Sequence, residues 1–234
     1  MEKQLSFVKK IIIFVAAVMI CGKAFAQTPS VVQNIRFPLW AELDAYPGTE
    51  FAAEDIIAEE YAYPLRRIKD VAPFLMDGMV YGWKFSYTPS DKTRGVEEYF
   101  SVEPIQLVES TKKNIRYSSV WIEDNKFNCW VDYTRSTYQV DDYNHWASIQ
   151  NPAIQGTGYG DLSKGFDGIK DAAKDALKDA VRSYYQEVLK NKPKEITGSV
   201  LIRKTPTMGV KNGQYVINLD FFLECGRIKE YTQF

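Results

Sequence analysis

Histidine is nearly absent: His145 is the only one in 234 residues. That rules out a His-Glu-x-x-His zinc site, a multi-histidine metal cage, and any cluster of cysteine and histidine at ligand spacing. No metal and no cofactor is expected. A serine triad would have to use His145, yet no Gly-x-Ser-x-Gly turn presents a nucleophile. Basic charge is not in excess, with 29 Lys and Arg against 30 Asp and Glu. Without a basic field nothing attracts a phosphate backbone, so no nucleic-acid partner is expected. Beyond residue 26 no apolar run approaches the roughly 20 residues of a membrane-spanning helix.

The first 26 residues are of another kind. Lys3, Lys9 and Lys10 outweigh Glu2, residues 11–20 are uninterruptedly apolar, and Ala24-Phe25-Ala26 places small residues before Gln27. This is the three-zone pattern of a secretory signal peptide, with cleavage expected between Ala26 and Gln27. The mature chain is then exported to the periplasm or cell envelope as one domain, residues 27–234, with no integral membrane segment. Cys21 offers a lipoprotein alternative, but the residue before it is Ile20 rather than a small one. Retention of the apolar run as an anchor is the other alternative. Cleavage removes four lysines and one glutamate and leaves a net charge of about −4.

Cysteine is scarce as well, three in all, of which Cys129 and Cys225 survive cleavage. An even pair permits one disulfide but no disulfide framework. Both lie on the apolar side of alternating segments, so the alternative is two buried thiols.

The remaining sequence alternates hairpins and helices. Residues 31–46 are extended in character. A short helix is expected at 52 to about 60, and another at 65–76, weakened by Pro73 and stopped at Gly78. Met79, Tyr81, Trp83, Phe85 and Tyr87 alternate as a strand, returning through 96–103. Residues 115–122 and 127–133 read as a second hairpin. Residues 198–204 and 215–223 read as a third, with Lys211-Asn212-Gly213 at its turn. Between them Phe166, Ile169, Ala173, Leu177, Ala180, Tyr184 and Val188 form one stripe of a long amphipathic helix, with Lys and Asp on its other side. The fold class expected is α+β, an antiparallel sheet of hairpins packed against that helix.

Chemistry-bearing motifs are weak. Ser110-Thr111-Lys112-Lys113 matches Ser-x-x-Lys, but the companion motifs of penicillin-binding enzymes are missing and the segment reads as a polar loop. Cys129 and His145 form a conceivable thiol pair, against which stands a strand cysteine of core character. Gly156-Thr157-Gly158-Tyr159-Gly160 precedes the long helix and could cradle an anion, yet it lacks the P-loop ending and reads as a flexible connection. No catalytic residue is assigned.

What is plentiful is aromatic: 15 Tyr, 13 Phe and 5 Trp. Half-buried sheets account for most of these. Trp40, Trp146 and Tyr159, in irregular segments, are the candidates for a contact surface. The run Phe37-Pro38-Leu39-Trp40-Ala41-Glu42-Leu43-Asp44-Ala45-Tyr46-Pro47-Gly48 and the later Met79-Val80-Tyr81-Gly82-Trp83 resemble segments of uncharacterised exported proteins of spirochaetes. The resemblance implies a periplasmic or envelope setting and brings no activity with it. The sequence thus points to a non-enzymatic envelope protein that binds another envelope protein or a cell-wall component. The alternative is a hydrolase of cell-wall glycan or peptide using carboxylates that the fold assembles.

Overall fold

A computed structural model describes residues 33–44, 61–106 and 109–231, with the backbone alone at 109–111. The expected leader at 1–26, its cleavage point and the short helix at 52–60 lie outside the described residues. In chain order the elements are β1 (Asn34–Glu42), α1 (Ala62–Val80), β2 (Trp83–Thr88), β3 (Tyr99–Pro104) and α2 (Glu109–Asn114). There follow β4 (Arg116–Glu123), β5 (Lys126–Thr134), α3 (Thr137–Trp146) and β6 (Ala153–Asp161). The chain ends through α4 (Phe166–Val188), β7 (Glu195–Ile202), β8 (Thr207–Lys211) and β9 (Gln214–Lys229).

The α+β class is as expected, with antiparallel sheets packed on helices, but the single expected sheet is two. A three-stranded sheet has the order β1-β5-β4, and a six-stranded one the order β3-β2-β7-β9-β6 with β8 also on β9. The smaller sheet follows from alternation: Ile35, Phe37, Leu39 and Ala41 of β1 are buried beside Phe127, Cys129, Val131 and Tyr133 of β5. That face joins a common core with α1, which also contacts β7 and α4. On the larger sheet, Leu201 and Phe222 point away from this core and meet Trp146 of α3.

Helix α1 continues through both predicted breakers. Pro73 removes one backbone hydrogen bond and crowds the preceding turn, and burial of Ile68, Val71, Leu75 and Met76 offsets that cost. Gly78 sits inside the helix because nothing larger fits: a Cβ there would lie 2.7 Å from Ile202 Cδ1 and 2.7 Å from Trp83 Cζ2. The strand expected from Met79 therefore begins at Trp83, after a turn at Gly82, where φ is 80°.

The glycine-rich segment is a strand, β6, and neither an anion cradle nor a flexible connection. Its glycines all face α4. Cβ atoms on Gly156, Gly158 and Gly160 would lie 2.1, 2.0 and 1.9 Å from the carbonyl oxygens of Ala176, Ala172 and Gly168. The spacing works because two strand residues rise about 6.8 Å and four helix residues about 6.0 Å, so the repeats keep step. The same register protects the sheet edge. Outward N–H groups of Thr157 and Tyr159 donate to Asp179 Oδ2 at 3.2 Å and Asp175 Oδ2 at 3.1 Å. Carboxylates four residues apart on α4 thus replace a missing neighbour strand.

The third hairpin is β8–β9, turning at Asn212 and Gly213 with φ of 52° and 74°, the left-handed pair that a two-residue turn requires. β7, expected as its first strand, pairs instead with the far half of β9, Glu195 opposite Lys229.

Candidate binding groove

Two edge strands of the six-stranded sheet, β6 and β3, reach α4. β6 lies directly on it through the glycines, whereas β3 stands off and leaves a groove. One end, about 440 Å3, is lined by Val102 and Pro104 of β3, Trp83, and Phe74 and Asp77 of α1. The other, about 400 Å3, is lined by Glu98, Phe100 and Tyr159. Asp171 and Lys174 of α4 border both, so the two cavities adjoin along the helix. The two walls run antiparallel, since Pro104 lies towards Asp167 and Glu98 towards Lys178. Eleven helical steps give a length of roughly 16 Å, room for about five residues of extended chain.

The floor is aromatic. Phe74 stacks on buried Trp83 with centroids 5.2 Å apart and meets Phe166 edge-on at 6.1 Å. The α4 wall carries alternating charges that neutralise one another: Lys170 with Asp167 at 2.5 Å, Lys178 with Asp175 at 2.9 Å, and Lys164 with Asp171 at 2.9 Å. The hydrogen bond from Lys170 holds the Asp167 carboxyl below the usual carboxylate range. A carboxyl so placed stays ionised, the opposite of what a proton-donating acid needs.

The β3 wall has backbone groups to offer. Among the described residues β3 pairs only with β2. Ile105 N–H donates to Gly82 O at 3.1 Å. Antiparallel alternation then turns Glu103, Ser101 and Tyr99 towards β2, and Val102 and Phe100 outward. Pro104 faces outward too, where its lack of an N–H does no harm. The outward N–H and C=O groups of Phe100 and Val102 therefore border the apolar groove.

Of the predicted contact residues, only Tyr159 borders the groove, and it is 48% exposed. Trp40 is elsewhere and half-buried, its Nε1 donating to Met208 O at 3.1 Å and its ring covered by Lys126 Nζ at 4.5 Å. Trp146 is a correction: it is buried against Leu201, Phe222 and Tyr143, where it anchors α3 to the larger sheet. The suggested disulfide is a second correction. Cys129 is buried in the three-stranded sheet, Cys225 is exposed on β9 of the other, and both are free thiols. His145 is exposed on α3, away from the core that encloses Cys129, and Ser110 lies in α2 rather than in a loop. Among the described residues no cluster of three or more His, Cys, Asp or Glu is placed to hold a metal, and no helix is long and apolar enough to cross a membrane.

The two thiols should differ sharply in reactivity. Burial pushes the Cys129 thiol up to about 11, so little thiolate forms near neutrality. In a chain starting at Gln27, Ellman's reagent is expected to titrate Cys225 alone under native conditions and both cysteines in denaturant. Fast reaction of both in the native protein would contradict the packing of β5.

The reading of the sequence missed Phe74, Trp83, Val102 and Pro104 as groove residues. One signal was available: a proline closing an alternating strand marks an edge. Away from the groove, a further unread signal was Ser136-x-x-Gln139, which the structure shows as a capping box opening α3, with Gln139 N donating to Ser136 Oγ and Ser136 N to Gln139 Oε1.

A protein-family profile matches residues 20–231. An uncharacterized protein of Treponema pallidum (strain Nichols) is 26% identical over 199 residues, covering 85% of this chain and 82% of its own length. No solved structure matches.

Proposed function

The chain belongs to the family whose profile takes in most of its length, and from that premise we propose an exported, non-enzymatic envelope protein that docks an extended segment of another envelope protein in the β3–α4 groove. The observation that carries this reading is the unpaired edge of β3 bordering an aromatic floor. An added strand would take its backbone hydrogen bonds from Phe100 and Val102 and lay alternate side chains on Trp83 and Phe74, the arrangement of β-strand addition. The β6 edge is already closed by Asp175 and Asp179, which leaves β3 as the edge that borders an apolar groove on α4. Export is supported by the leader-like pattern of residues 1–26 and by the likeness to a spirochaete protein.

The hydrolase alternative draws on Asp77, Asp167 and Asp171, which rim the same aromatic floor. Two of them are held in ion pairs with lysines, and Asp167 is kept ionised, which favours binding over acid catalysis.

The test is a random-peptide display library panned on residues 27–234. Enriched sequences are expected to carry apolar residues at alternate positions. Val102→Asp should weaken them at least about tenfold, or 1.4 kcal/mol, with circular dichroism unchanged. Enriched peptides that bind Val102→Asp as tightly as the parent would remove the groove from the account. Cleavage of cell-wall fragments by the parent protein, lost on Asp167→Asn, would install the hydrolase in its place.

A further inference from the structure

The three-stranded sheet ends on one side at β4, which pairs among the described residues only with β5. Its side chains do little to guard that edge. Tyr117, Val120 and Ile122 are 38%, 57% and 51% exposed, where an edge strand ordinarily carries charge to repel a neighbour. The charges that β4 does carry sit at its two ends, Arg116 first and Glu123 last. Both are exposed. A strand basic at one end and acidic at the other is complementary to a reversed copy of itself.

The hairpin decides which backbone groups face the open edge. Asp124 and Asn125 have φ of 50° and 58°, a two-residue turn that closes on the hydrogen-bonded pair of Glu123 and Lys126. Glu123 therefore faces β5, and so do Trp121, Ser118 and Arg116, opposite Asn128, Trp130 and Asp132. The far side of β5 agrees: Arg135 N–H donates to Gln33 O at 2.8 Å, which turns the odd-numbered residues of β5 to β1. Between Ser118 and Trp121 the register shifts, so Ser119 and Val120 stand opposite Cys129 alone as a bulge. The extra residue shifts the alternation by one. Tyr117 and Ile122, on either side of it, thus both turn their N–H and C=O to the open edge.

We propose that the chain forms a two-fold dimer in which β4 pairs antiparallel with β4 of a second copy, joining two three-stranded sheets into one. Tyr117 exchanges backbone hydrogen bonds with Ile122 of the other copy, and Ile122 with its Tyr117. In this register each Arg116 lies opposite the other copy's Glu123, at positions where side chains approach most closely. Trp121 Nε1 donates to Glu123 Oε2 at 3.3 Å, which leaves Oε1 for the arginine. Centring the pairing on Tyr117 or on Ile122 would leave both charges without a counterpart. A bulge ordinarily keeps a straight strand off an edge. An identical bulged strand keeps the same separation between its two pairing residues, so both pairs close together. The contact involves eight residues of β4 from each copy, a small interface, for which a dissociation constant of about 10–100 μM is expected. It lies on the other sheet from the β3–α4 groove and does not depend on that site.

The test is sedimentation velocity of the chain starting at Gln27, from about 1 to 500 μM, a range that brackets the expected constant. The parent should pass from monomer to dimer. Arg116→Glu and Glu123→Arg should each weaken the dimer at least about tenfold, since the two-fold axis repeats every repulsion. An equimolar mixture of these two variants restores opposite charges at both positions and should dimerise like the parent. Ile122→Lys should weaken the dimer by a similar factor through the edge itself, whereas Val102→Asp in the groove should leave it unchanged. Circular dichroism accompanies each variant, and if a charge variant does not fold, Ile122→Lys decides. A parent that stays monomeric to about 500 μM overturns the proposal. So does a dimer that Arg116→Glu or Ile122→Lys leaves intact, or a mixture no more dimeric than its components. A dimer lost in Val102→Asp also overturns it, because the contact would then run through β3.

Discussion

Gly158→Ala is expected to destabilise the fold by about 3–5 kcal/mol, a large share of the roughly 5–15 kcal/mol that holds a typical domain together. One added methyl group is enough because it has nowhere to go. Its carbon would lie 2.0 Å from Ala172 O and 2.1 Å from Ala176 N, and both are backbone atoms that move only with the whole helix. Relief requires lifting α4 off β6, which opens the seam of Ala172, Ala176 and Ala180 and draws Asp175 and Asp179 from the strand edge. Gly209→Ala in β8 is the control, with nothing within 4 Å of the new carbon. It should change stability by less than about 1 kcal/mol, and in the favourable direction, since alanine restricts the unfolded chain. Urea melts of the two variants measure the difference. Equal midpoints would mean that α4 does not lie on β6 as described.

Trp146→Ala is expected to cost about 3–5 kcal/mol and to leave peptide binding in the groove unchanged. The sequence marks Trp146 as a contact residue because it is an aromatic in a segment without clear periodicity. The structure makes it the anchor of α3, buried against Leu201 and Phe222 on the face of the larger sheet that α1 and α4 do not cover. On that face its removal leaves Tyr143, 5.8 Å from the Phe222 ring. For a chain of this size the loss corresponds to a Tm lower by about 10 °C. A variant with unaltered Tm and weakened peptide binding would restore the original assignment.

Local signals in the sequence survive in the structure, and signals that depend on distant partners do not. The stripe on α4, the alternation on β9 and the Asn212-Gly213 turn are periodicities that neighbours in sequence enforce, and they appear as read except at the end of the stripe, where Val188 is exposed. The division into two sheets is different in kind. It depends on β1 pairing with β5, Asn34 opposite Thr134, and nothing in either strand names the other. Pro73 and Gly78 read as breakers because propensity speaks only for an isolated helix, and a helix buried on several sides overrides it. The glycines of β6 misled for the opposite reason. Gly-x-Gly-x-Gly suggests freedom or an anion, while its physical meaning is a strand face stripped of side chains so that Ala172 and Ala176 can touch its backbone. Of the groove, only Tyr159 was legible. Its other walls, Val102, Phe74 and Lys174, come from three separate elements that only the fold brings together.

The central claim, that β3 takes up an extended partner strand, is tested most directly by amide hydrogen exchange with a groove-selected peptide bound. In the free protein the Phe100 and Val102 amides, facing away from β2, should exchange faster than those of Ser101 and Glu103, which face it. On binding, Phe100 and Val102 are expected to slow by about tenfold or more as they donate to the added strand, with Ser101 and Glu103 changing far less. Protection that appears elsewhere while Phe100 and Val102 continue to exchange at their free rates would contradict the claim.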